Sequence, residues 1–157
     1  MGPTSANSSP ARFVWVLSPE GKSRLASSAM EMNRRRILAA PLTVIVGNDL
    51  DFPDTLPKLL PAARATQIQQ MFQQRDLAET TAMRNGTWQG AYLIVAARAL
   101  GLDCGPMSGF DNAAVDKAFF AGTRIRSNFI FCIGYGKPQT VRPRNPRLAF
   151  EEAGWFA

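Results

Sequence analysis

The chain has 157 residues, a length typical of one compact domain, and 46% of them are hydrophobic while 19% are charged. This composition can bury a sizeable core, which excludes a disordered chain and a coiled coil. Eighteen Lys and Arg residues against twelve Asp and Glu residues leave a net charge of +6, which favours anionic partners without specifying the anion.

The sequence contains no histidine and only two cysteines, Cys104 and Cys132. Ser-His-Asp triads, Cys-His pairs and HExxH zinc sites all need an imidazole, so these chemistries are excluded. The cysteines form neither a CxxC pair nor a disulfide framework, which favours a reducing, cytoplasmic location and no metal site. Polar residues follow Met1 and the longest apolar run covers only 91–97, so neither a targeting segment nor a membrane span is expected.

The chain begins with a polar, proline-containing loop over 2–10, followed by a predicted strand. The run RFVWVL at 12–17 is rich in β-branched and aromatic residues, as strands are. Ser18 and Pro19 then supply an N-cap and a first-turn proline, which predict a helix extending toward Met30.

The middle of the chain predicts a buried strand, a loop and a long helix. The uniformly apolar run LTVIVGN at 42–48 is typical of a strand buried on both faces. A loop is expected between Asp49 and Thr66, which encloses three prolines: Pro53, Pro57 and Pro61. One long helix is predicted over 77–100, with Gly101 as its C-cap. Its second half is apolar nearly all round, so we expect the core or another subunit to enclose it.

The last third predicts a glycine-rich connector at 101–111, a short helix from Asp111 to about Phe120, and a strand within 128–136. The tail that follows is rich in proline and arginine. Strands separated by helices indicate an α/β or α+β sandwich forming a single domain over 1–157.

Three small-residue loops could bring backbone N–H groups close to a ligand: 2–10, 104–111 and 134–147. None of the three is specific alone, and for the first loop a surface turn is the alternative interpretation. A cluster of four cations follows the last predicted strand and could clamp a phosphate: Lys137, Arg142, Arg144 and Arg147. Its alternatives are a solvated basic tail and a nucleic-acid contact, although no basic motif interleaved with aromatic residues is present. No spacing singles out a pair of carboxylates, so no catalytic side chain is assigned.

Four segments in order resemble the nitroreductase superfamily, and most closely its malonic semialdehyde reductase branch. They are GPTSANSSPARFV, RNGTWQGAYLIVAARALGLDCGPMSGFD, FIFCIGYG and PRLAFEEA. Each is weak alone, but together they extend from Gly2 to about Ala153. The resemblance implies an α+β FMN-binding sandwich with a central mixed sheet flanked by helices. It further implies a homodimer built around the long helix, with FMN in clefts between the subunits.

The resemblance also implies roles for individual residues. Four would face the flavin ring: Pro3, Thr4, Ser5 and Asn7. Four would line its other edge: Pro106, Met107, Ser108 and Gly109. Arg144 and Arg147 would hold the FMN phosphate. The implied reaction uses NAD(P)H as co-substrate and reduces a small molecule, with malonic semialdehyde reduced to 3-hydroxypropionate in the closest branch. No nucleic-acid or membrane partner is implied.

Members of the family carry a segment before the GPTSAN-like motif, whereas this chain starts inside the motif. The expectation is therefore a single domain lacking the usual N-terminal segment. The alternative left open is a truncated, cofactor-poor family member that folds or dimerises without turnover.

Overall fold

The computed structural model describes residues 2–157, which contain four strands and six α-helices. The strands are β1 (Ala11–Val16), β2 (Leu42–Asp49), β3 (Asp103–Met107) and β4 (Ile125–Gly134). The helices are α1 (Pro19–Ser27), α2 (Glu31–Ala39), α3 (Ala62–Met71), α4 (Arg75–Ala99), α5 (Asn112–Phe119) and α6 (Phe150–Ala153). Short 3-10 helices cover Ser5–Asn7, Phe52–Lys58 and Pro138–Thr140.

The four strands form one sheet in the order β1-β2-β4-β3, and neighbouring strands are antiparallel. The predicted α+β class is confirmed, but the expected mixed sheet is wrong for the described residues. Helices between strands suggest parallel crossovers, whereas α1 and α2 pack on each other between β1 and β2. Because Val16 pairs with Thr43, this helix pair returns the chain to the end of the sheet at which β1 stops.

The sheet is covered on both faces. On one face, β2 and β4 pack with α1, α2 and α5 around Leu25, Ile45 and Ile130. On the other face, Val44 and Phe131 pack with side chains of α4. β2 is therefore buried on both faces, as its uniformly apolar sequence predicts.

Two glycines let α4 approach the sheet closely. A Cβ at Gly86 would lie 2.0 Å from Oδ1 of Asn48, and one at Gly90 would lie 2.6 Å from Cζ of Phe129. Any side chain at these positions would force the helix or its neighbours to move. The helix backbone is therefore seated directly on β2 and β4.

Two segments differ from expectation. The connector expected at 101–111 contains β3, which is held at the sheet edge by pairing with β4 although it includes Gly105 and Pro106. An edge position tolerates proline because one side of an edge strand has no hydrogen-bonding partner. The segment between Asp49 and Thr66, expected to be a loop, contains the 3-10 helix Phe52–Lys58 and the start of α3. The 3-10 helix tolerates Pro53 because this residue lies in its first turn, where a missing N–H costs little.

Candidate functional site

The loop before β1 has an unusual backbone. Ala6, Asn7 and Ser9 all adopt positive φ angles between 43° and 51°. Such a conformation costs about 1–2 kcal/mol for a residue other than glycine. The surrounding contacts must therefore compensate, which makes this loop a candidate binding element.

Hydrogen bonds within the loop close it on itself. The Ser9 N–H donates to Oγ1 of Thr4 at 3.1 Å, and the Ser8 N–H donates to the carbonyl of Ser5 at 3.0 Å. A third hydrogen bond connects the loop to the rest of the chain, because the Asn7 amide donates to the carbonyl of Leu59 at 3.3 Å. The Pro3, Ser5 and Asn7 side chains remain exposed, whereas Thr4 is half-buried.

Side chains of the protein body fasten both ends of this loop. The Ser5 N–H donates to Oδ1 of Asn85 at 2.7 Å, and the Ala11 N–H donates to Oε1 of Gln89 at 2.9 Å. Arg12 contacts the loop from β1 by donating to the carbonyl of Ser9 at 3.0 Å. Arg12 is itself paired with Asp49, whose Oδ2 lies 2.6 Å from its guanidinium.

The second predicted segment, Pro106 to Gly109, lies at the end of β3. Pro106 and Ser108 are exposed, but the Met107 side chain is buried in the core with α1 and α5. Only the backbone of Met107 is therefore available to a ligand. The Gly109 carbonyl accepts the Met30 N–H at 3.0 Å and the Asn33 amide at 3.0 Å, which ties the segment to α2.

The structure does not bring these two segments together within one chain. β1 starts at Ala11 opposite Asn48, near one end of the sheet, whereas β3 ends at Met107 opposite Ile130, in the middle of β4. They occupy opposite edges, separated by three strand spacings of roughly 4.8 Å each. The first packs against α4 on one face, and the second packs against α2 on the other.

The predicted phosphate ligands lie in a third place. The tail leaves β4 at the end of the sheet where β3 begins, which is opposite the end where β1 begins. Arg144 and Arg147 are exposed, and the Arg147 guanidinium donates to the nearby carbonyls of Asn145 and Pro146 at 3.0 and 3.2 Å. Within the tail, the rings of Phe150 and Phe156 pack on each other with their centroids 5.3 Å apart.

The outward face of α4 is apolar and exposed. Trp88, Tyr92 and Val95 are 58%, 51% and 66% exposed, and Arg84 is the only charged residue between 80 and 97. Trp88 and Tyr92 lie on this outward face, whereas Leu93 and Ile94 of the same helix pack against the sheet.

The family model described as "Nitroreductase family" matches residues 1–135. The chain belongs to the nitroreductase family. A relative from Caulobacter sp. strain K31, named "Putative NADH dehydrogenase/NAD(P)H nitroreductase", is 60% identical over 152 residues, which cover 97% of this chain and 77% of the relative.

Solved structures of the nitroreductase fold are similar at low identity. A "putative nitroreductase" from Exiguobacterium sibiricum 255-15, solved in complex with FMN, has a TM-score of 0.88 and 22% identity, covering 99% of this chain and 80% of that one. The enone reductase CLA-ER of gut-bacterial fatty acid saturation has a TM-score of 0.81 and 20% identity, covering 98% of this chain and 80% of that one. These likenesses establish the fold.

Sequence reasoning missed the two side chains of this nitroreductase-family chain that hold the N-terminal loop. Asn85 and Gln89 are 4% and 7% exposed, although they are polar residues of a helix. The available signal was the repeat of an amide followed by glycine, Asn85-Gly86 and Gln89-Gly90, at a spacing of four residues. That spacing places both amides on one side of the helix, next to the glycines that contact the sheet.

Two other sets of ionisable groups lie near β3. Burial raises the pKa of the Cys104 and Cys132 thiols, which therefore stay protonated and weakly nucleophilic at neutral pH. The Gly136 N–H, which donates to Asp103 at 2.7 Å, and the Arg98 guanidinium lower the pKa of Asp103. This carboxylate joins the start of β3 to the turn after β4.

No helix in residues 2–157 is both long and apolar enough to cross a membrane.

Proposed function

We propose that this chain is a subunit of a homodimeric, FMN-dependent NAD(P)H oxidoreductase that reduces small molecules. Membership of the nitroreductase family supports the reaction class. The chemistry that bound FMN supplies is electron transfer from NAD(P)H to an acceptor. The protein's own part is to hold and orient the partners.

The exposed groups of the two loops suit a flavin in kind. Ser5 and Ser108 offer hydroxyl groups and Asn7 offers an amide, which together can donate to and accept from the polar edge of a flavin. Arg144 and Arg147 offer exposed guanidinium groups, which bind phosphate with charge-assisted hydrogen bonds. The residue types present therefore fit FMN.

The placement of these groups is the observation that carries the proposal of a dimer. The Ser5 loop and the Ser108 loop lie on opposite faces of one sheet, so one chain alone cannot close both around a single flavin. A second copy that covers the apolar face of α4 would remove Trp88, Tyr92 and Val95 from water. Burial of that apolar surface contributes about 25 cal/mol per Å². The site would then lie between subunits, with one loop from each.

The acceptor that we propose is malonic semialdehyde, reduced to 3-hydroxypropionate. The sequence similarity at the four motifs supports this branch of the family, and the net charge of +6 favours an anionic acceptor. In the overall reaction NAD(P)H is oxidised to NAD(P)+, and the aldehyde carbon gains a hydride while its oxygen gains a proton. Nitroaromatic acceptors are expected to compete for the same site.

Flavin content and turnover test the proposal together. The purified protein is scanned for flavin absorbance, apoprotein is titrated with FMN, and NADH or NADPH oxidation is followed with malonic semialdehyde and with a nitroaromatic. We expect yellow protein, saturable FMN binding and acceptor-dependent oxidation. Protein that is colourless and binds no added FMN would refute the oxidoreductase assignment. Turnover with the nitroaromatic alone would refute only the malonic semialdehyde assignment.

A further inference from the structure

We infer that Asn85 and Gln89 are positioning residues that impose the conformation of the Thr4–Ala11 loop through their side-chain oxygens. The inference rests on the proposed function, since it concerns the loop that we propose to face the flavin. Both residues lie within the second motif quoted above, but the resemblance assigns neither side chain a role. The positioning role is inferred from the hydrogen bonds of the two side chains alone.

The side-chain oxygens of Asn85 and Gln89 accept hydrogen bonds from the backbone on both sides of the strained residues. The N–H groups of Ser5 and Ala11 bracket the three residues with positive φ, and each donates to one α4 oxygen, at 2.7 and 2.9 Å. Ala11 begins the edge strand β1, where N–H groups on the outer side are normally left to water. Here two side chains of a rigid helix accept these hydrogen bonds at fixed points.

The supporting contacts hold the amides themselves in place. The Asn85 amide donates to the carbonyl of Thr81 at 2.8 Å, which fixes the orientation of its oxygen toward Ser5. Gly86 and Gly90 seat the same helix turns against Asn48 and Phe129 of the sheet. The loop therefore takes its position from α4, and α4 takes its position from the central strands.

The same helix carries the exposed face that we propose as the dimer surface. Asn85 and Gln89 are adjacent in sequence to Arg84 and Trp88, which point to the outside. Because α4 holds the loop and also carries the proposed dimer surface, it fixes the position of the loop relative to the second copy. A loop tethered only by its own turns would lack this common reference.

The test compares Gln89→Met, which removes the acceptor at nearly constant size, with Gln89→Glu, which keeps an oxygen at the same place. Gln70→Met makes the same chemical change at an exposed position of α3 and serves as the matched control. Asn85→Leu and Asn85→Asp form the second pair. Amide hydrogen exchange of apoprotein and the dissociation constant for FMN are measured for each variant.

In Gln89→Met we expect the Ala11 amide to exchange at least tenfold faster, with unchanged exchange in β2 and β4. FMN should bind at least tenfold more weakly. Tenfold corresponds to about 1.4 kcal/mol, which is within the cost of leaving one buried donor unpaired. Gln89→Glu should restore both values in large part, and Gln70→Met should match the wild type.

Unchanged exchange at Ala11 and Ser5 in the acceptor-removing variants would overturn the inference, as would faster exchange spread evenly through the sheet. Faster local exchange with unchanged FMN affinity would also overturn it. A wild-type protein that binds no FMN would refute the proposed function instead, and the exchange of Ser5 and Ala11 would still decide whether the amides hold the loop.

Discussion

The close approach of α4 to the sheet predicts that Gly86→Ala destabilises the protein. The added Cβ would lie 2.0 Å from Oδ1 and 3.1 Å from Cγ of Asn48, so the Asn48 side chain must move. Asn48 is buried, and its Oδ1 accepts a hydrogen bond from the Asn128 amide at 3.2 Å. Moving the Asn48 side chain therefore breaks the hydrogen bond with Asn128 and disturbs the packing around Asn48.

The opposing contributions can be compared. Overpacking costs about 1–3 kcal/mol, and the lost hydrogen bond costs about 1 kcal/mol. Replacing glycine by alanine within a helix returns about 0.8–1 kcal/mol. We expect the free energy of unfolding to fall by about 2 kcal/mol, which lowers the Tm by roughly 4–8 °C for a chain of this length.

Chemical and thermal denaturation of four variants measures this effect: Gly86→Ala, Asn48→Ala, the double variant and a control. Gly105→Ala is the matched control, because a Cβ there would meet no atom within 4 Å, and its stability should stay within about 0.5 kcal/mol of the wild type. In the double variant with Asn48→Ala, the loss should be smaller than the sum of the single losses, because the obstructing oxygen is gone. A Gly86→Ala protein as stable as the wild type would refute the close approach of helix and sheet.

Three further predictions concern the surface and the tail. Val95→Glu places a charge on the outward face of α4, so the variant should sediment as a folded monomer. A variant that remains dimeric would contradict the proposed interface. Arg147→Ala should weaken FMN binding by roughly 10–100-fold in an apoprotein titration, since a charge-assisted hydrogen bond contributes about 1.5–3 kcal/mol, and unchanged affinity would reassign Arg147 to the solvated surface. Contacts in the folded protein lower the pKa of Asp103, so the ionised carboxylate stabilises the folded protein above the unfolded pKa of about 3.9. This stabilisation is lost as the pH falls through the pKa of the folded protein. The unfolding free energy of Asp103→Asn should therefore fall less steeply than that of the wild type below about pH 4, and parallel pH profiles would contradict this.

Strong local patterns allowed much of the fold to be predicted. The helix expected over 77–100 is present as Arg75–Ala99, and the strand expected at 42–48 is present as Leu42–Asp49. Both have compositions that favour one structure along their whole length. β3 was missed because Asp103, Gly105 and Pro106 are poor strand formers, and pairing with β4 overrides their preference.

The arrangement of the candidate site was harder to predict than its segments. The motifs at Ser5 and Ser108 are visible in the sequence, but their separation depends on strand order, which long-range pairing determines. Asn85 was missed because a polar helix residue usually faces water. Its burial follows from the loop that packs against it, which no local pattern of α4 contains.

The strand order also has a consequence for synthesis of the chain. β2 pairs on one side with the nearby β1, but on the other side with β4, so that Leu42 meets Ile133 and Asp49 meets Ile125. While the ribosome is still producing the intervening helices, β2 has one unpaired edge and a largely apolar sequence. Such a nascent hairpin is prone to associate with other chains until its partner strand emerges. During synthesis the central pairing must wait until residues 125–134 have emerged, so slow elongation between residues 50 and 125 would prolong the period in which aggregation competes with it.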